Sequence, residues 1–156
     1  MINFSFTTRI ARPPSQVFAY LADPANLGEW QGTHQVEKLT DGPIGVGSRF
    51  REVHLAPGGR AIESITEITD YEPDTSFGVH IVEGPIPIDG LWQLEASGDD
   101  GTKLRFTASG RGPGPRALQP LVTVGAKRQF KRQHRKLRSA IESRPASPPP
   151  DSPTAD

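Results

Sequence analysis

Between residues 35 and 110 the chain is a series of strand-like segments separated by short turns, with no helical segment among them. Glycine and proline mark the turns, for example at Asp41-Gly42-Pro43 and at Pro57-Gly58-Gly59. Parallel strands need a long crossover connection, usually a helix, so this arrangement predicts an antiparallel meander. A single long helix, predicted from about residue 116 to residue 142, follows the last strand. The order of elements therefore predicts an α+β fold.

The N-terminal part of the chain predicts one further strand and two short helices. Apolar and polar residues alternate over residues 2–6, which is the period of a strand. A first short helix follows over residues 13–22, where proline occupies the first turn and its missing N–H is not needed. A second short helix is expected to begin at Asp23, which can cap it, and to stop at Gly28.

The predicted last helix is amphipathic and needs a partner for its apolar side. Apolar residues recur along it at spacings of three and four, while basic residues cover much of the remaining surface. An antiparallel sheet has one apolar face and is the only partner large enough. We therefore expect a curved sheet wrapped around this helix, with an internal apolar cavity between them. Residues 1–142 would form this domain, and the Pro- and Ser-rich residues 143–156 a disordered tail.

The composition excludes several kinds of site. The 156 residues contain no cysteine, which rules out disulfides, thiolate metal sites and cysteine nucleophiles. The four histidines lack the spacing of metal ligands, and no glycine-rich nucleotide motif is present, so we expect neither a metal nor a cofactor. No apolar run approaches the ~20 residues of a transmembrane helix, and the first residues do not resemble a secretory signal. These features predict a cytoplasmic protein.

Charge is distributed unevenly along the chain. The 18 basic and 18 acidic side chains cancel, but residues 1–110 carry 8 basic and 15 acidic ones, and residues 111–156 carry 10 basic and 3 acidic ones. Overall neutrality argues against a general nucleic-acid binder, and no nucleic acid is expected as a partner. The basic face of the last helix could bind anionic lipid headgroups, nucleic acid or an acidic partner, or could be an ordinary solvated surface.

Four segments of the sequence carry a resemblance to a known family. They are Ile10–Pro24 with Trp30 soon after, Gly42–Phe50, Ile65–Pro73 and Gly101–Leu104. Over about residues 3–142 the chain resembles the START-like (SRPBCC) superfamily, and within it the polyketide cyclase/dehydrase branch. The resemblance implies a helix-grip fold with a ligand cavity. The superfamily includes lipid carriers, hormone receptors and aromatase/cyclases, so it leaves the ligand open.

On each predicted strand, the residues of one parity should face the cavity. Ile65 departs from the parity of its strand, which indicates a β-bulge at that point. The predicted wall adds apolar positions of the last helix and two tryptophans, which could stack on a ligand or pack as ordinary core. The expected ligand-binding residues are Trp30, Phe50, Ile62, Ser64, Thr66, Phe77, Val79, Ile81, Trp92, Leu94, Phe106, Leu118, Leu121, Val122 and Gly125.

Glu52 and His54 are the candidate catalytic residues. They are two residues apart on one predicted strand, so they share a face with about 6.5–7 Å between their Cα atoms. On a face that lines an apolar cavity they could perform acid/base chemistry on a bound molecule. Alternatively, they are exposed near the frayed end of the strand, as is usual for these residue types. His34 could lie at the cavity mouth, whereas His80 is expected on the outer face and His134 among the cations of the helix.

These features predict a monomer or homodimer that binds a hydrophobic small molecule, such as a polyketide, a lipid or an aromatic metabolite. Specificity would come from apolar shape and from a few polar groups, namely Glu52, His54, Ser64 and Thr66. The alternative is an enzyme of the cyclase or dehydratase type, in which positioning and exclusion of water would do most of the catalysis. A third hypothesis is an accessory protein that docks through its basic C-terminal helix.

Overall fold

The computed structural model of the protein describes residues 2–85, 87–112 and 114–146. Short 3-10 turns at Pro24–Asn26 and Arg116–Leu118 precede the second and third α-helices. The order of strands and helices is the predicted one. The elements are β1 (Ile2–Ile10), α1 (Pro14–Leu21), α2 (Leu27–Trp30), β2 (Gln35–Lys38), β3 (Arg49–Leu55), β4 (Ala61–Glu72), β5 (Ser76–Glu83), β6 (Ile88–Ser97), β7 (Gly101–Gly110) and α3 (Gln119–Glu142).

The strands form one antiparallel sheet in the order β1-β7-β6-β5-β4-β3-β2. Consecutive strands from β2 to β7 are neighbours, as the predicted meander requires, and β1 adds to the far edge beside β7. The register between β4 and β5 shifts between Ile65 and Thr66 and again between Ile68 and Asp70. The first shift leaves Val82 of β5 without a partner, and the second leaves Thr69 of β4 without one. Because β4 pairs regularly with β3 through Ile65, the bulge predicted in β4 at Ile65 is wrong, and the irregularity lies on the neighbouring strand. Bulges bend a strand and increase its twist, which helps the sheet to curve around the helices.

The connection from β1 to β2 follows the predicted signals except at one residue. The side chain of Asp23 accepts a hydrogen bond from the backbone N–H of Ala25 at 3.0 Å and so caps the 3-10 turn. Gly28 does not end the helical segment, which continues to Trp30. The Trp30 side chain is only 1 % exposed, so burial of this large ring outweighs the poor helix propensity of glycine.

α3 packs along β1 and against α1 and α2. Its buried positions are Leu137, Ile141 and His134, while Ala126 and Phe130 are partly buried against the same core. The core therefore lies between the inner face of the sheet and the helices. None of the helices in the described part of the chain combines the length and the hydropathy needed to cross a membrane.

The residues that follow α3 are held against the body of the protein. Arg12 donates a hydrogen bond to the backbone carbonyl oxygen of Arg144 at 2.9 Å. The Arg144 guanidinium in turn lies over the ring of Tyr20, 4.6 Å from its centroid. Arg144, which lies in the segment expected to be a disordered tail, thus contacts the body of the protein. The remainder of that predicted tail, residues 147–156, lies outside the described residues.

Candidate ligand-binding site

A cavity of about 190 Å³ lies between the inner face of the sheet and the helices. Strands β3 to β7 form one side of it, and the segment 21–31 together with Phe130 of α3 forms the other. Most of the lining side chains are apolar or aromatic. The polar ones are Gln31, Glu52, His54, Ser64 and Thr66.

The predicted strand parity places most of the expected residues in the cavity wall. β3 contributes alternate residues to one face, and β4 and β5 do the same across the sheet. The predicted residues that line the cavity are Trp30, Phe50, Glu52, His54, Ser64, Thr66, Phe77, Val79, Ile81, Trp92 and Phe106.

Two of the predicted strand residues lie outside the wall. Leu94 is buried, but it belongs to the core at the other end of β6. Ile62 is half-buried near the start of β4, where it pairs with His54. Both residues have the inward parity, so alternation alone does not tell how far along a strand the cavity extends.

The residues around the start of α3 that were predicted for the wall do not line it. Leu118 and Leu121 are 48 % and 70 % exposed, Gly125 is also exposed, and Val122 packs against the core without reaching the cavity. The helix presents Phe130 instead. At 100° per residue, Leu121 and Phe130 point to opposite sides of the helix. Spacings of three and four fit more than one stripe of this helix, and packing against β1, α1 and α2 selects the stripe that contains Phe130.

The segment between β1 and β2 supplies the wall that was expected from α3. Leu21 at the end of α1 and Leu27 at the start of α2 line the cavity together with Trp30. The three residues lie six and three positions apart on the two short helices. This apolar spacing was visible in the sequence, but Leu21 and Leu27 were not assigned to the wall from it. The cavity is thus covered mainly by the short helices.

Glu52 is buried in the wall and only 8 % exposed, which excludes the alternative of a frayed, solvated strand end. The hydroxyl of Thr66 on β4 donates a hydrogen bond to its Oε2. Within the described residues, no cationic side chain forms an ion pair with this carboxylate. A carboxylate can accept about four hydrogen bonds, and buried acceptors are costly when unsatisfied. Glu52 therefore offers acceptor capacity to a molecule in the cavity.

His54 lines the same cavity from the end of β3. Its Nε2 lies 3.1 Å from Oγ1 of the buried Thr33, which holds the ring in place. Two other histidines, His34 and His80, lie away from the cavity wall. His34 is exposed and does not reach the cavity mouth, and His80 pairs with Asp89 at 2.5 Å on the outer face.

His134 is buried behind the cavity wall, contrary to the expectation that it lies among the cations of α3. Its Nδ1 lies 2.7 Å from the carbonyl oxygen of Phe130, so Nδ1 carries the proton and donates it to that bond. Its Nε2 accepts a 2.8 Å hydrogen bond from the indole N–H of Trp92. Burial lowers the pKa of His134 to about 4, which keeps the ring neutral near pH 7. The histidine therefore orients two wall residues.

The sequence profile of a family described as polyketide cyclase / dehydrase and lipid transport matches residues 1–142. The chain belongs to this family. No curated protein matches it. The family assignment agrees with the resemblance inferred from the sequence.

Solved structures show the same fold as this member of the polyketide cyclase/dehydrase family. A protein from Thermus thermophilus has a TM-score of 0.74 and 18% identity, covering 90% of this chain and 97% of its own. The Zhui aromatase/cyclase from Streptomyces sp. R1128 has a TM-score of 0.73 and 18% identity, covering 90% and 93%. The di-domain ARO/CYC StfQ from the steffimycin biosynthetic pathway has a TM-score of 0.72 and 17% identity, covering 89% and 45%. The predicted helix-grip fold is confirmed.

Aromatic rings form much of the cavity wall in this polyketide cyclase/dehydrase family protein. The ring centroids of Trp92 and Phe106 are 4.8 Å apart, and Trp30 meets Trp92 edge-on at 6.2 Å. The indole Nε1 of Trp30 is buried and has no hydrogen-bond partner within the described residues. In the same part of the chain, no group of three or more histidine, aspartate or glutamate side chains could hold a metal ion.

Proposed function

We propose that this protein binds a small aromatic or otherwise hydrophobic molecule that carries a hydrogen-bond donor. The observation that supports this most directly is the buried carboxylate of Glu52 in a wall that is otherwise largely apolar and aromatic. Apolar surface favours a hydrophobic ligand, and the free acceptor positions of Glu52 favour a hydroxyl or an N–H group on it.

The volume of the cavity limits the size of the proposed ligand. Pockets for drug-sized molecules measure roughly 300–1,000 Å³, whereas a cavity of about 150 Å³ accepts benzene. At about 190 Å³ the cavity suits a molecule of one or two fused rings or a short chain. This favours a small aromatic metabolite over a long-chain lipid or a complete polyketide.

Indole and benzofuran provide a direct test, because they have nearly the same shape and only indole has an N–H donor. We expect the wild-type protein to bind indole at least about tenfold more tightly in calorimetric titrations, the effect of one hydrogen bond to a carboxylate. Glu52→Gln should remove most of this preference. Glu63→Gln is the matched control, because Glu63 is exposed on β4 and does not line the cavity.

Val79→Phe separates binding in the cavity from binding elsewhere. Val79 lines the cavity, so the larger ring should fill it and abolish binding of both probes. Equal affinity of the wild type for indole and benzofuran would contradict the role of Glu52. Binding that survives Val79→Phe would contradict the cavity as the site. Native mass spectrometry of the freshly purified protein would identify any molecule that it already carries.

A cyclase or dehydratase acting on a molecule in this cavity is the second candidate, supported by the presence of Glu52 and His54 on one wall. In a dehydration, one of these groups would take the proton next to a carbonyl, and the other would protonate the hydroxyl that leaves as water. Glu52→Gln and His54→Ala should then each abolish turnover of a β-hydroxy ketone and leave the binding of benzofuran, which has no N–H donor, largely intact. Unchanged turnover in both variants would refute this assignment.

A further inference from the structure

We propose that the outer face of α3 binds an anionic lipid surface. This face consists of Leu121, Val124, Arg128, Arg132 and Arg135, all of which are exposed. At 100° per residue these side chains fall within an arc of about 80°. The two apolar residues, which are 70 % and 58 % exposed, come first along the helix, and the three arginines follow.

Nothing in the described protein neutralises the cations of this face. Residues 111–141 contain basic residues but no aspartate or glutamate. Within the described residues, Arg128, Arg132 and Arg135 form no hydrogen bond or ion pair through their side chains. Arg132 lies four positions from both Arg128 and Lys136, and Arg135 lies four positions from Lys131. Like charges at this spacing repel each other on a helix. A partner with negative charge would relieve this repulsion.

The apolar residues of the outer face favour a lipid surface over a nucleic acid. A phosphate backbone is recognised by cations and hydrogen-bond donors, and it would gain nothing from Leu121 and Val124. Leu118, which is 48 % exposed, extends the apolar end of the face by one turn. An anionic membrane can receive both parts, since headgroups contact the arginines and the acyl boundary receives the apolar side chains.

The proposed surface is separate from the ligand cavity. Phe130, which lines the cavity, lies on the side of α3 opposite Leu121. Binding of the outer face to a membrane would therefore leave the contacts between α3 and the cavity wall unchanged. Variants of the outer face should bind indole like the wild type, so the two proposals can fail independently.

Co-sedimentation of the full chain with vesicles tests the proposal. We expect binding to vesicles of equal parts phosphatidylcholine and phosphatidylglycerol, and none to phosphatidylcholine alone. Arg128→Gln combined with Arg132→Gln should lower the partition coefficient about 30-fold, the effect of removing two cations near an anionic surface. Lys103→Gln combined with Arg105→Gln on β7 removes the same charge from two exposed positions and should leave binding within about threefold of the wild type.

A second pair of variants tests the apolar end of the face. Leu121→Ser combined with Val124→Ser should weaken vesicle binding by at least about tenfold, since both exposed side chains would otherwise leave water on binding. Circular dichroism checks that α3 still forms. Failure to bind anionic vesicles, or equal losses in the helix and β7 variants, would overturn the proposal. It would also fail if the face bound duplex DNA instead, or if the apolar variants abolished a dimer and left vesicle binding unchanged.

Discussion

Acid should destabilise this protein through His134, the histidine that holds Trp92 in the cavity wall. In the folded protein, burial lowers the pKa of His134 to about 4. In the unfolded chain the ring has its ordinary pKa of about 6.5. Between these values the unfolded state binds a proton that the folded state does not. Stability therefore falls as the pH falls from about 6.5 towards 4.

The size of this effect follows from the two pKa values. A difference of one pKa unit corresponds to about 1.4 kcal/mol. At pH 4.5 the unfolded histidine is almost fully protonated and the folded one is mostly neutral, so the loss amounts to about 2–3 kcal/mol. For a folded unit of this length, that corresponds to a fall in the thermal midpoint of roughly 10 °C.

Urea unfolding of the wild type and of His134→Gln, each at pH 7 and at pH 4.5, would measure the loss of stability that His134 causes. A glutamine oxygen can still accept the hydrogen bond from Trp92, but it does not titrate. The pKa of Glu29 is lowered by the hydrogen bonds from Arg144 and Tyr20, so protonation of carboxylates such as this one also destabilises the protein in acid. That loss is the same in the wild type and in the variant. We expect the free energy of unfolding to fall by about 2–3 kcal/mol more in the wild type. Equal losses in both proteins would refute the reasoning.

Three further predictions test the packing. Trp92→Phe should be more destabilising than Trp30→Phe, because it leaves His134 Nε2 without its donor, whereas Trp30 Nε1 has no partner to lose within the described residues; urea unfolding that gave the opposite order would count against this. Ile68→Ala should lower the free energy of unfolding by about 2–5 kcal/mol, since Ile68 is 2 % exposed and its removal loses buried apolar surface and leaves empty space in the core. Arg144→Ala should lower the thermal midpoint by scanning calorimetry, because Arg144 covers the Tyr20 ring, and an unchanged midpoint would show that this contact contributes nothing.

The inner face of the sheet could be predicted from the sequence residue by residue. Glu52, Ser64 and Thr66 were expected on the cavity side from alternation alone, and the structure places all three there. These predictions succeed because side-chain direction in a strand depends on local geometry with a period of two.

Positions on the helices were predicted less well. The stop at Gly28 was wrong because burial of Trp30 extends α2 beyond it. Leu121 was expected in the cavity wall but lies on the outer face of α3. His134 was placed among cations but is buried, although it belongs to the apolar stripe of the helix. In each case the deciding contact comes from another part of the chain.

The order of elements, the antiparallel meander and the inward face of each strand can all be predicted from local sequence patterns. Turn residues and alternation act over a few neighbouring residues, so they can be recognised without knowing the rest of the fold. Which side of α3 meets the sheet, and the hydrogen bond from the indole N–H of Trp92 to His134, depend instead on long-range packing. A helix with apolar residues at spacings of three and four offers more than one stripe for burial. The choice depends on contacts with β1 and β6, which are distant in the sequence.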